Sequence, residues 1–300
     1  MRRLRDAEAS ALGLMALAVV VLSFSGGSTL VKLSHTPGIT VAFWRMLLCS
    51  GIWIIILRLS EQRWLTLADL RAALVPGLLF GTNIAFFFTG VTHTTVAAAE
   101  FTGALSPMLV IPIGALVFKE KVHAKALMFG VVSVVGLALV LFGAPTSGDF
   151  SWTGEAWIIA ANVLWAGYLL TSRTLRQQRS VAAIMAGITP IATVVTLPLG
   201  LFVFPGTLDE VTWRSVVFIV ALAALTGTTA HGLMVYAQHS VPISVISTLQ
   251  LSQPALAVTW SVLFLGATVR PLQVLGMVLV IAGLVMMTAL TQRAAQRPAN

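Results

Sequence analysis

Charge is what this 300-residue sequence lacks: 9% of its residues are Asp, Glu, Lys or Arg, and only 10 are acidic. A soluble domain carries about a quarter charged residues, enough to coat a water-facing surface. So few charges exclude a soluble enzyme and a nucleic-acid-binding domain, even though the net charge is +8. Cysteine is nearly absent as well. Cys49 stands alone in an apolar run, which excludes an intramolecular disulfide and a cysteine zinc cluster. There is no G-x-x-x-x-G-K-[ST] loop, so the chain is not by itself an ATP-driven pump, and H-E-x-x-H and G-x-S-x-G are missing too. No cofactor or metal site is legible. No loop is long enough to hold a soluble catalytic domain.

What is present is apolar length. Hydrophobic residues make up 58% of the chain, and the mean hydropathy is +0.95. A membrane-crossing helix needs about 20 mostly apolar residues. Ten segments qualify: 11–31, 39–59, 70–90, 94–117, 124–143, 153–172, 181–203, 213–237, 241–265 and 271–290. The strands of a membrane barrel would alternate over about ten residues. These runs are continuous and twice as long, and a chain in lipid must satisfy its own backbone hydrogen bonds. The expected class is therefore an all-α integral membrane protein with ten transmembrane helices. Segment 1 follows Arg2, Arg3 and Arg5 as a secretory leader would, but its length and the nine segments behind it make it a true first helix.

Positive residues supply an independent count. With the N-terminus inside, 14 of the 18 Lys and Arg residues fall in inner stretches, 3 (Lys32, Arg214, Arg270) in outer ones, and Arg45 lies within a span. Cytoplasmic loops collect Lys and Arg. The expectation is a multi-pass protein of the cell membrane with both termini cytoplasmic.

The halves echo each other. Gly81-Thr82, His93 and Ser106-Pro107 in the first correspond to Gly227-Thr228, His239 and Gln253-Pro254 in the second. The Gly-to-His separation is 12 in both, and the Gly-to-Pro separations are 26 and 27. Residues 1–150 and 151–300 thus read as two repeats of five segments with opposite orientation. Inverted repeats are a common transporter architecture, with the site near the midplane.

Pro37 precedes Ala42-Phe43-Trp44-Arg45 in segment 2. Thr94-Thr95-Val96-Ala97-Ala98-Ala99 leads to Leu105-Ser106-Pro107 in segment 4, which closes on Phe118-Lys119-Glu120-Lys121. Segment 6 carries Asn162-Val163-Leu164-Trp165-Ala166 and segment 9 carries Gln253-Pro254. In order and spacing these resemble EamA-type members of the drug/metabolite transporter superfamily, over nearly the whole chain. The resemblance implies ten helices in two EamA repeats and export of small metabolites or drugs. Two features depart from it. Glu120 stands 13 residues past Pro107, whereas Ala267 occupies the matching place after Pro254, so no symmetric glutamate pair exists. Glu100 is not part of the family pattern either, so a role for it cannot be borrowed from relatives.

Ionisable groups inside a bilayer are functional candidates by default. Arg45, Glu100 and His231 are the three well inside a span, and they form the candidate coupling set. Arg45 and Glu100 each lie about 9 Å from the outer end of their segments at 1.5 Å per residue, so they can pair. Such a pair is either a packing device or a titrating element. His231 is suited to proton coupling by its ordinary pKa, and equally to a neutral hydrogen bond between helices.

The candidate substrate-binding residues are Ser25, Ser28, Asn83, Glu100, Asn162, Trp165, Ser247 and Gln250, expected to face one central space. Ser25, Ser28, Thr29 and Lys32 follow helical spacing along one polar face. Phe80 and Phe87 frame Asn83; Asn162 shares a face with Trp165, and Ser247 and Gln250 share one with Pro254. The alternative for each is interhelical hydrogen bonding or plain packing. Pro107 and Pro254 are candidate hinges within their helices, or static kinks. The expected partners are a small-molecule substrate and the lipid bilayer, with protons open and no nucleic acid. Oligomeric state is not legible. A secondary transporter leads over a membrane-embedded enzyme, for which no catalytic constellation is recognisable, and over a non-transporting scaffold, which has no use for so many buried polar groups.

Overall fold

Every regular element among the described residues is helical. A computed structural model describes residues 2–109, 113, 124–144, 150–238 and 249–295. In chain order the elements are α1 (Arg2–Ser25), α2 (Gly27–Leu33), α3 (Gly38–Glu61), α4 (Leu67–His93), α5 (Val96–Gly103), α6 (Ala124–Phe142), α7 (Trp152–Gln178) and α8 (Val181–Pro198). A wide-turned segment, π1 (Leu199–Val203), follows. Then come α9 (Trp213–Leu222), a second wide turn π2 (Ala223–Thr229), α10 (Ala230–Gln238), α11 (Gln253–Leu265) and α12 (Pro271–Ala295).

Local chemistry explains where the helices start. A helix leaves its first N–H groups without partners, and Ser or Thr oxygens satisfy them. Thr95, Ser151 and Ser180 cap α5, α7 and α8 by accepting from the backbone three residues on. Thr66 with Asp69, and Thr212 with Ser215, form reciprocal capping boxes on α4 and α9. Gln62 (φ 55°) and Gly266 (φ 64°) end α3 and α11 in the left-handed conformation.

Among the described residues, six helical stretches are long and apolar enough to cross a membrane: Leu12–Leu33, Gly38–Glu61, Leu67–His93, Val181–Val203, Trp213–Met234 and Pro271–Leu290. Leu127–Phe142 and Gln253–Leu265 are shorter apolar helices. The 27 residues of α7 would span about 40 Å, but Glu155 and Asn162 make its face more polar.

Two compact units emerge, each taking helices from both halves of the chain. The first comprises Met1–Gly26, Thr95–Phe150 and Ala230–Asn300. In it α6 runs along α12, α1 packs on α10, and α5 packs on α11. The α6–α12 seam is made by glycine: a Cβ at Gly136 would lie 2.7 Å from the Gly276 carbonyl oxygen, and one at Gly276 would lie 2.5 Å from that of Gly136. Backbones this close gain van der Waals packing where lipid gives no hydrophobic drive. Phe101, Val140, Val280 and Leu284 fill the core beside it.

The second unit comprises Gly27–Thr94 and Ser151–Thr229. Here α4 is central, packed on α7 and α8, with α3 also against α8. Gly77 and Gly81, one turn apart, admit Ile191 and Ala192 of α8; a Cβ at Gly81 would fall 2.6 Å from the Ala192 Cα.

Four expected spans are interrupted between helical stretches among the described residues. Segment 1 breaks at Gly26, between α1 and α2. Segment 4 breaks at residues 104–105 and resumes at 106–109, and the described part of segment 9 breaks at 251–252 before α11. Segment 8 widens into π2. The prolines explain two of these. Pro107 and Pro254 are not interior kinks; each takes the second position of a restarted helix, where the missing N–H has no helical partner to lose.

Candidate functional site

The second unit holds the most unusual polar group, Arg45. It lies two turns into α3, only 3% exposed, and its Nε and Nη1 have no hydrogen-bond partner. Its guanidinium sits 5.3 Å from the centroid of the Phe88 ring on α4. One turn along α3, Cys49 faces π2, and one turn further the Trp53 Nε1 donates to the Gly227 carbonyl at 3.0 Å. A Cβ at Gly227 would lie 2.4 Å from Cys49 Sγ and 3.6 Å from Arg45 Nε, so glycine is what lets π2 approach. The Thr228 hydroxyl donates to the Ala223 carbonyl five residues back, at 2.9 Å, in keeping with the wide turn. Two more buried oxygens in this unit, the hydroxyls of Thr29 and Thr89, have no partner.

The other expected residues of this unit are tied into helix packing. The Asn83 amide donates to the Ala161 carbonyl of α7 at 2.7 Å. Trp165 belongs to an aromatic cluster with Tyr168 (5.1 Å) and Phe80 (6.4 Å). Ser28 and Asn162 are buried.

In the first unit Ser25 is fully buried. Its hydroxyl donates to the Leu22 carbonyl at 3.0 Å and accepts from Trp260 Nε1 at 2.9 Å. His231 meets the Phe24 ring edge-on at 5.2 Å. Glu100 is half-buried on α5, beside the fully buried Ala98 and Ala99. Gln250 is half-buried, its Nε2 4.0 Å from the Met234 sulfur. Ser247 lies outside the described residues. Ser25, Glu100, His231 and Gln250 thus share one compact unit, and Ser28, Arg45, Asn83, Asn162 and Trp165 share the other.

Three polar residues escaped the sequence reading. Asp69 is 2% exposed and ion-pairs with Arg63, at 2.6 Å, and with Arg179. Arg63 also meets Glu61 at 2.7 Å, and Glu61 accepts from the Ser180 hydroxyl. The hydrogen bonds to Asp69 and Glu61 hold the Arg63 guanidinium above the ordinary arginine value. This network ties the α3–α4 loop to the α7–α8 junction. The signal was available in Thr66-Leu67-Ala68-Asp69, a capping-box spacing. Glu155, 1% exposed at the start of α7, accepts from the Thr94 hydroxyl at 2.7 Å. Trp260, the partner of Ser25, had no sequence signal.

Apolar helices of membrane-crossing length, joined tightly and carrying polar groups inward, define a multi-pass membrane protein. The chain belongs to the EamA-like transporter family, whose model matches residues 11–142 and 152–289. It is 27% identical over 282 residues to the threonine/homoserine exporter RhtA of Salmonella typhimurium, covering 90% of this chain and 89% of that one. RhtA of Escherichia coli is 26% identical over 285 residues, with the same coverage. The riboflavin transporter of Brucella anthropi is 25% identical over 194 residues, covering 63% of this chain and 67% of that protein. One solved crystal structure matches with a TM-score of 0.65 at 18% identity, covering 96% of this chain and 98% of that chain, which bears on the fold alone.

Proposed function

We propose that the chain is a secondary transporter of the cell membrane that exports small metabolites, amino acids or related amphiphilic compounds, by alternating access. The observation that carries this reading is similarity along nine-tenths of the chain to relatives named as threonine/homoserine exporters. Ten helices in two inverted repeats, divided near residue 150, with both termini cytoplasmic, complete the proposal. The distribution of loop cations supports that orientation. Substrate contacts are assigned to Ser28, Asn83, Asn162 and Trp165 in one unit, and to Ser25, Glu100, Ser247 and Gln250 in the other. The helix restarts at Pro107 and Pro254 supply the points of flexure.

Coupling is assigned to Glu100, with Arg45 and His231 as further charged or titratable groups. Burial favours the neutral carboxyl and a nearby cation the charged one, so a carboxylate whose surroundings alternate can carry a proton. The test is flux in proteoliposomes of L-threonine, L-homoserine and riboflavin, with and without a pH gradient. Glu100→Gln keeps the volume and removes the charge. At normal membrane abundance it should abolish the pH-dependent part of the flux. Unchanged flux at every pH would defeat the coupling role, and no flux of any compound in the native protein would defeat export.

A further inference from the structure

Of the five buried side-chain nitrogen and oxygen atoms without a hydrogen-bond partner among the described residues, two belong to Arg45. A guanidinium stays charged at any physiological pH and offers only donors. Nε and Nη1 between them carry three N–H groups. Leaving these unsatisfied inside apolar helices is costly, and a buried charge persists only if it is paired in some functional state. The Phe88 ring face compensates in part, through a cation–π contact. Among the described residues Arg45 forms no ion pair; its guanidinium lies against the Phe88 ring, and the Gly227 backbone of π2 approaches its Nε.

We infer that Arg45 is the anchor for the carboxylate of the transported compound, seated beside the Phe88 ring and π2. This deepens the exporter reading and rests on it, by naming a carboxylate as the substrate's recognised group. The charge arithmetic selects that class. A monoanion neutralises one guanidinium, whereas a dianionic phosphate would leave an excess charge in a medium where charge is expensive. The planar carboxylate also matches the planar fork of donors. The missing side chain at residue 227 brings the π2 backbone up to α3, where a Cβ would lie 3.6 Å from Arg45 Nε, so no side chain from residue 227 competes for that N–H. Arg45 is thereby a binding residue in its own right, and its role does not require Glu100.

The test is ligand binding to the purified full chain in detergent at constant chloride, read by thermal shift. L-threonine, L-homoserine and a panel of small organic acids are each compared with their carboxamides. In the native protein at least one acid should bind roughly ten- to a hundredfold more tightly than its amide, the range expected of charge-assisted hydrogen bonds. Arg45→Gln should bring that ratio close to one. Arg45→Lys keeps a buried cation should the glutamine variant not fold, and should retain a preference smaller than the native one. Equal binding of acid and amide by the native protein, across the whole panel, overturns the inference. So does restoration of the native acid preference in the double variant Arg45→Gln/Glu100→Gln, which would reduce Arg45 to a charge balance for Glu100. Counterflow of the same compounds separates this from the exporter reading. Arg45-dependent binding without movement of any compound would sink export and leave the anchor standing. Flux of amino acids unaltered by Arg45→Gln would do the reverse.

Discussion

The two compact units distribute their unpartnered buried polar atoms unevenly. In the first, containing α1, α5, α6, α10, α11 and α12, Ser25 both donates to a main-chain carbonyl and accepts from Trp260, and Ser133 and Ser261 donate to main-chain carbonyls. The second, containing α2, α3, α4, α7, α8 and α9, is saturated at one end and wanting elsewhere. At the end, Asp69 answers two arginines and a capping box. Elsewhere, Thr29, Arg45 and Thr89 account for four of the five unpartnered buried atoms among the described residues; the fifth, the Gln253 amide nitrogen, belongs to the first unit. The difference teaches that polar residues in a membrane helix are not of one kind. Those whose lone pairs and protons are all used hold the fold. Those left wanting are, on the inference above, where a ligand group would bind.

The comparison can be broken most violently at its glycine seams, which both units share. Gly276→Val in the first unit and Gly81→Val in the second each place a Cβ within 2.6 Å of a partner's backbone. Backbone cannot yield as a side-chain tip can, so each should cost about 3 kcal/mol or more. The expected outcome is loss of the monodisperse peak in size-exclusion chromatography for both. A folded Gly81→Val protein would mean that the α4–α8 packing is looser than drawn.

Next comes the paired end of the second unit. Asp69→Ala removes the acceptor of Arg63 and Arg179 and half of a capping box. Both arginines are about a third exposed, so solvent screens what they lose. Loss of the cap and of the pairs together should cost about 2 kcal/mol. A thermal melt in detergent reads this, and the drop should shrink as salt rises. A fall in flux at unchanged stability would instead place the network in the transport cycle.

How much of this was legible follows from what hydropathy measures. The spans at 39–59, 70–90 and 181–203 fall on α3, α4 and α8 with π1, each within a few residues, because a long apolar run has one low-energy form in lipid. The breaks were not legible. Ser25, Ser28 and Thr29 keep helical spacing whether or not Gly26 interrupts the helix, and π2 has the composition of any apolar turn. Pro107 and Pro254 were visible, but a proline reads alike in a kink and at a restart. Asn83 and Arg45 were both visible as polar residues in apolar helices. Only the coordinates separate them, since the partner of Asn83 is a main-chain carbonyl on α7, which has no sequence signature.

The smallest effects sharpen the comparison most. Ser25→Ala in the first unit takes away the acceptor of the half-buried Trp260 indole N–H and should lower stability by about 1 kcal/mol, seen as a melting-temperature drop of a few degrees. Thr29→Val and Thr89→Val in the second unit replace an unpartnered hydroxyl with a methyl of the same shape. An unsatisfied buried group costs free energy that its apolar isostere does not, so these variants should be neutral or more stable by up to about 1 kcal/mol. If the hydroxyls are there for a ligand, the gain in stability comes with a loss of flux, the usual trade at a site that carries its own unfavourable groups. If Thr89→Val or Thr29→Val destabilises as Ser25→Ala does, the hydroxyl has a structural partner after all, and the contrast between the two units reduces to Arg45 alone.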